Sequence, residues 1–128
     1  MKSLNILAVD DSPITLKKLA KMIENIGHQV IGTARTGADA ISQYQSLQPD
    51  LVTMDITMPD MNGIDATKGI IANFPHALII MVTSHGQEQM VIDAIEAGAK
   101  GYVLKPVNEE KLKNMIEKVI VQYSSDVV

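Results

Sequence analysis

Apolar residues along this chain fall into two alternating patterns, short continuous runs and longer stripes at helical spacing. The runs are Leu4 to Val9 (LNILAV), Gln29 to Thr33, Leu51 to Asp55, Leu78 to Thr83 (LIIMVT) and Gly101 to Leu104. Runs this short and this apolar predict strands covered on both faces. The stripes lie between them. Leu16, Leu19, Ala20, Ile23 and Ile26 repeat at helical spacing up to Gly27, behind Ser12 as a cap and Pro13 at the favoured first position. Ala40, Ile41, Tyr44 and Leu47 mark a second helix closed by Pro49. Ile64, Thr67 and Ile71 mark a third, opening at Gly63, whose length Gly69 leaves open by costing about 1 kcal/mol of propensity. Gln87 to Ala97 predicts a fourth helix, stopped by Gly98. Asn108 caps a fifth, with Glu109 and Glu110 suiting the positive end of its dipole. Leu112, Met115, Ile116, Val119 and Ile120 supply its buried stripe.

Strand then helix, five times over with short loops, predicts an α/β fold. The expected form is a five-stranded parallel sheet with right-handed crossovers and helices on both faces, a (βα)5 flavodoxin-like doubly wound arrangement. The 128 residues fit one domain, with a core from about 4 to 123 and a short tail, 124 to 128. Aromatic residues make up only 3%, so the core must be aliphatic and methionine. Cysteine is absent, which excludes disulfides, cysteine-ligated zinc and thiol catalysis. The net charge of −4 comes without any basic block, which speaks against a nucleic-acid groove. The opening MKSLNILAVDD is too short in its apolar run for a signal peptide, and no run approaches membrane-spanning length. A cytoplasmic address without membrane insertion is the expectation.

In an open α/β sheet, ligands bind beyond the carboxyl ends of the strands. There the first strand delivers Asp10 and Asp11, the third Asp55, the fourth Thr83 with Ser84 and His85, and the fifth Lys105 with Pro106. Carboxylates gathered at one rim repel and raise one another's pKa. A hard divalent cation with oxygen ligands, such as Mg²⁺, would compensate them. Phosphoryl transfer is the leading chemistry, with Asp55 as nucleophile and with Mg²⁺, the Thr83 hydroxyl and the Lys105 ammonium on the phosphoryl oxygens. Other phosphate motifs fail. GTARTG (Gly32 to Gly37) has P-loop glycine spacing, but Ala38 and Asp39 stand where Lys and Ser or Thr belong. No GxGxxG follows a strand, and Asp10 and Asp11 would repel a flavin phosphate. Thr57 stands where phosphatases of the haloacid-dehalogenase type carry a second Asp.

The set Asp10-Asp11, Asp55, Thr83 and Lys105-Pro106 resembles the receiver domain of two-component response regulators, from about Leu4 to Tyr123. The wording VTMDITMPDMNGIDA with VTSHGQEQMVIDAIEAGAKGYVLKP resembles stand-alone chemotaxis regulators of the CheY type. The resemblance implies that Asp55 accepts a phosphoryl group from a phosphohistidine on a sensor histidine kinase. It implies a Mg²⁺ site of Asp10, Asp11, Asp55 and the Thr57 backbone carbonyl, and a cis bond between Lys105 and Pro106. Thr83 would move toward the phosphoryl group, Lys105 would pair with it, and Tyr102 would swing inward on activation. Val107 departs from the Phe that often follows Lys-Pro, and Thr57 and His85 hold the variable positions that tune dephosphorylation in the family. His85, His28 and His76 are expected to be solvent-facing loop residues, and Met58 and Met61 loop packing.

With no attached output domain expected, the signal would leave by docking. The fourth helix carries more apolar residues (Met90, Val91, Ile92, Ala94, Ile95, Ala97) than one face against a sheet needs. Together with Tyr102 and the last helix it is the expected output surface. The function expected is a monomeric phosphorylation switch whose output partner is, for instance, a flagellar motor switch component, with a phosphatase as a further partner. The alternatives are a phosphorelay shuttle or phosphate sink, and a Mg²⁺-dependent phosphatase acting on an external substrate.

Overall fold

In the computed structural model, five strands form one parallel sheet: β1 (Asn5–Val9), β2 (Gln29–Ala34), β3 (Leu51–Met54), β4 (Ile79–Thr83) and β5 (Gly101–Leu104). Five helices alternate with them: α1 (Pro13–Ile26), α2 (Gly37–Leu47), α3 (Gly63–Asn73), α4 (Glu88–Ala97) and α5 (Glu109–Tyr123). The structure describes residues 2–123, so Met1 and the tail expected at 124 to 128 lie outside the described residues. Strand order is β2-β1-β3-β4-β5. The α/β, doubly wound arrangement is the one the alternating pattern predicts.

Each face of the sheet has its own core. Leu16, Leu19 and Ile23 of α1 and Leu112, Ile116 and Val119 of α5 pack with Ile6, Ala8, Leu51 and Ile80 on one side. Tyr44 of α2, Ile70 of α3 and Ala94 of α4 pack with Leu7, Val52, Ile79 and Met81 on the other. Strands covered on both faces have no solvent side, which is why their sequence reads as runs and not as alternation. All residues of β3 and β4 are buried.

The helix starts follow local chemistry. Ser12 Oγ accepts from Thr15 N–H, Thr36 Oγ1 from Asp39 N–H, and Asn62 Oδ1 from Asp65 N–H. Gly27 and Gly98 close α1 and α4 in the left-handed conformation, at φ 107° and 115°. Gly69 does not shorten α3. A Cβ there would meet Ile41 Cδ1 of α2 at 2.7 Å, so the missing side chain allows α2 and α3 to approach. Leu47, expected within the stripe of α2, is 39% exposed because it falls in the last turn, at the sheet's margin.

One expectation is overturned. His28 is not solvent-facing: it is 5% exposed, and its Nδ1 accepts a hydrogen bond from the Leu4 N–H at 3.0 Å. The short turn after Gly27 tucks the ring under the start of β1, where a neutral imidazole satisfies an otherwise unpaired strand amide. His76 is exposed, as expected.

Candidate functional site

β1 and β3 are hydrogen-bonded neighbours, with Val9 opposite Met54, so Asp10 and Asp55 leave the sheet side by side. Their backbones remain tied to the ladder: Asp10 N–H donates to the Ala34 carbonyl and Asp55 N–H to the Val9 carbonyl, both at 3.0 Å. Asp10 is 2% and Asp55 6% exposed. Asp11 completes the group, and one oxygen from each of the three carboxylates lies within 4.8 Å of the others. This clustering follows from strand order. β1 and β3 flank the point where the winding reverses, which opens a crevice at the carboxyl edge.

Lys105 reaches the same place from β5. Its Nζ lies 2.7 Å from Asp10 Oδ2 and 3.6 Å from Asp55 Oδ2. Its N–H donates to the Thr83 carbonyl at 2.8 Å, and the Lys105–Pro106 peptide bond is cis. The other Asp10 oxygen accepts from Ser12 N–H at 2.9 Å, and Asp55 Oδ1 accepts from Ile56 N–H at 2.9 Å.

Burial, and after it the charge of Asp10, hold the Asp55 carboxyl above the usual carboxylate range. Lys105 and the Ile56 N–H oppose that rise, and Asp11 adds to it. The cluster therefore carries more negative charge than its own cation balances. All-oxygen donors, mutual proximity and surplus negative charge suit a small divalent cation such as Mg²⁺.

Thr83 ends β4 and Tyr102 lies within β5. Among the described residues neither bonds to a carboxylate; both engage the backbone of His85. Thr83 Oγ1 accepts from His85 N–H at 3.2 Å, and the Tyr102 hydroxyl donates to the His85 carbonyl at 2.5 Å. His85 is partly exposed in the loop after β4, and its Nε2 pairs with Thr57 Oγ1 at 2.8 Å. Met58 is buried and Met61 packs against the α2–α4 core, as expected for loop packing. Two contacts carried no sequence signal. The Thr57–His85 pair joins loops after different strands, and the Asp60 carboxylate accepts from the N–H groups of Gly37 and Ala38, at 2.8 and 2.9 Å. Partners this far apart in the chain leave no local spacing to read.

Residues 6–117 match the family model described as the response regulator receiver domain. The chain is 45% identical to the chemotaxis protein CheY of Thermotoga maritima over 114 residues, 89% of this chain and 95% of that protein. It is 43% identical to the chemotaxis protein CheY of Bacillus subtilis over 115 residues, 90% of this chain and 96% of that one. Among solved structures it resembles a CheX–CheY–BeF3–Mg²⁺ complex from Borrelia burgdorferi, with a TM-score of 0.86 and 35% identity, covering 94% of this chain and 90% of that one. The match across most of the chain agrees with the geometry of its carboxyl edge: the chain belongs to the response regulator receiver domain family.

Proposed function

We propose that this chain is a phospho-accepting switch of the chemotaxis type, phosphorylated on Asp55 by a sensor histidine kinase and turning over no external substrate. The observation that carries the reading is the convergence of the buried Asp10 and Asp55 with Asp11 and Lys105 at one rim of the sheet. An Asp55 oxygen forms the new O–P bond as the P–N bond to the kinase imidazole breaks, and the imidazole keeps the bonding pair. The buried strand beneath Asp55 fixes the nucleophile for that in-line approach. Asp10, Asp11 and Asp55, with the Thr57 backbone carbonyl, would hold Mg²⁺, which when bound supplies positive charge against the phosphoryl oxygens. Lys105, already at the rim, would exchange its carboxylate contacts for a phosphoryl oxygen.

The route outward is supported by the two bonds on His85. Thr83 accepts there with its oxygen, which leaves its own hydroxyl proton to donate to a phosphoryl group. A shift of Thr83 acts on the same peptide segment whose carbonyl receives the Tyr102 hydroxyl. Large apolar side chains stand exposed on α4 and at the end of β5: Ile92, Ile95 and Leu104 are 41%, 49% and 44% exposed. A groove of about 470 Å³ is lined by residues that include Tyr102, Leu104, Lys111, Met115 and Lys118. Phosphorylation would bias a two-state equilibrium at this face, and the output partner, a flagellar motor switch component, would dock there. A CheY relative crystallised in complex with the protein CheX lends support to docking of another protein on this fold.

The test is intact-mass measurement after incubation with acetyl phosphate and Mg²⁺. One phosphoryl group per chain is expected on the wild type and none on Asp55→Asn. Release of phosphate in many turnovers from a phosphomonoester would reject the switch in favour of a phosphatase. Phosphorylated protein should then bind a motor switch component more tightly than unphosphorylated protein; equal binding would favour a shuttle or sink.

A further inference from the structure

The loop between β3 and α3 carries Thr57, and its anchoring is unequal along its length. At its base the Gly63 N–H donates to the Ile56 carbonyl at 2.7 Å. A Cβ on Gly63 would overlap the Asp55 carbonyl, so this neck closes only around glycine. Between neck and tip, no backbone–backbone hydrogen bond involves Thr57 to Met61 among the described residues. Ile56 and Met58 are buried and Thr57 Oγ1 pairs with His85 Nε2 at 2.8 Å, but none of these contacts engages the Thr57 carbonyl. The tip is then tied down from outside. One oxygen of Asp60 accepts from Gly37 N–H at 2.8 Å and the other from Ala38 N–H at 2.9 Å, at the first turn of α2. These two bonds hold the Asp60 carboxyl below the usual carboxylate range, Ala38 contributing most. Beside them Met61 packs so closely on Gly37 that a Cβ there would overlap it.

α2 does not need Asp60 for its cap alone, because Thr36 Oγ1 already accepts from Asp39 N–H at 3.1 Å. The carboxylate adds a tether between two loops, α2 being rigid and the Thr57 segment lacking ladder bonds. We infer that Asp60, through its two-oxygen grip on the start of α2, is a positioning residue for the metal site, holding the Thr57 carbonyl where a divalent cation can use it. The inference rests on the Mg²⁺ reading of Asp10, Asp11, Asp55 and Thr57. A preorganised ligand binds without the cost of ordering it, and outer partners of metal ligands matter for affinity.

The experiment compares four full-length proteins, wild type, Asp60→Ala, Asp60→Asn and Thr36→Val, by Mg²⁺ titration followed at backbone amides. Amide hydrogen exchange at residues 57 to 61 is measured without metal. Asp60→Ala should weaken Mg²⁺ about tenfold, the low end for an outer partner, and speed exchange at residues 57 to 61. Asp60→Asn, keeping one oxygen acceptor, should fall between it and wild type. Thr36→Val removes the other cap from the same helix end and should lower the unfolding midpoint while leaving Mg²⁺ affinity unchanged. Wild-type affinity in Asp60→Ala, or an equal loss in Thr36→Val, would overturn the positioning role and leave the metal site standing. A wild type that binds no Mg²⁺ at millimolar concentration would overturn the metal reading itself, and the inference with it.

Discussion

The two ends of this sheet both bury polar side chains, and they treat them in opposite ways. At the amino edge the buried His28 has a backbone partner, and the exposed Asp50 and Asn5 pair beside it. His28 Nδ1 takes the Leu4 N–H, and Asp50 exchanges bonds with Asn5: its Oδ2 accepts from Asn5 N–H and its own N–H donates to the Asn5 carbonyl, both at 2.8 Å. At the carboxyl edge three carboxylates cluster, and one ammonium, Lys105, reaches two of them, Asp10 and Asp55. The first arrangement closes backbone donors and asks for nothing more. The second leaves charge uncompensated in a buried place, which costs stability and creates affinity for a cation or a phosphoryl group. The difference separates polar burial that holds a fold together from polar burial that keeps a site ready.

The sharpest way to break the comparison is Asp55→Asn. It should abolish phosphoryl gain from acetyl phosphate, and in metal-free buffer at pH 7 it should raise the unfolding midpoint, because it removes the disfavoured charge. A variant less stable than wild type would show that the edge is balanced after all. Lys105→Met acts on the same edge from the other side. Asp10 would lose its ammonium partner while buried, at a cost of roughly 2 kcal/mol in metal-free urea unfolding. Saturating Mg²⁺ should recover most of that loss. Equal losses with and without Mg²⁺ would mean that the metal and the lysine do not compensate the same charges.

A third substitution asks whether an unsatisfied polar group must belong to the site. Thr53, fully buried in β3 opposite Ala8 and Ile80, has a hydroxyl with no hydrogen-bond partner among the described residues. Thr53→Val should stabilise the protein by about 1 kcal/mol and leave the phosphorylation rate unchanged. A change in that rate would extend the functional edge into the strand.

The finest distinction is in pH. Burial chiefly lowers the His28 pKa below its ordinary value, and nearby Glu117 opposes that shift. A histidine held neutral in this way contributes stability that is fully present above about pH 6.5, and the contribution declines as pH falls below that value. Asp55 has the opposite sign. Its folded-state pKa is raised, so its contribution is fully present below the unfolded value, and it is lost as pH rises through the folded value. In metal-free urea titrations, His28→Asn should lose less stability than wild type between pH 7.5 and about 5.5. The advantage of Asp55→Asn should shrink as pH falls toward the carboxylate range. If His28→Asn and wild type show parallel profiles, His28 is not an acid-sensitive element of the amino edge.

Much of this molecule was legible because its cues are local. Ser12 with Pro13, the left-handed Gly27 and Gly98, and Asn108, whose Oδ1 accepts from Lys111 N–H, mark helix ends within a few residues. The strand ends shifted by a residue or so, as with Leu51–Met54 in place of a strand reaching Asp55. There the ladder stops at Met54, while the Asp55 N–H still bonds to Val9. The burial of His28 has no local cue, because its partner, the Leu4 amide, is 24 residues away and has no motif. Asp60 was passed over for the same reason, at separations of 23 and 22 residues.

By itself the sequence determined the alternation of strands and helices, the two-faced burial of the strands, and which residues stand at strand ends, because periodicity and capping act within a turn or a strand. Only the tertiary structure decided that β1 and β3 are neighbours, that one oxygen from each of three carboxylates comes within 4.8 Å of the others, and that the Lys105 ammonium reaches Asp10 and Asp55. Strand order depends on which covered faces pack together across the chain, and no stretch of the sequence carries that choice alone.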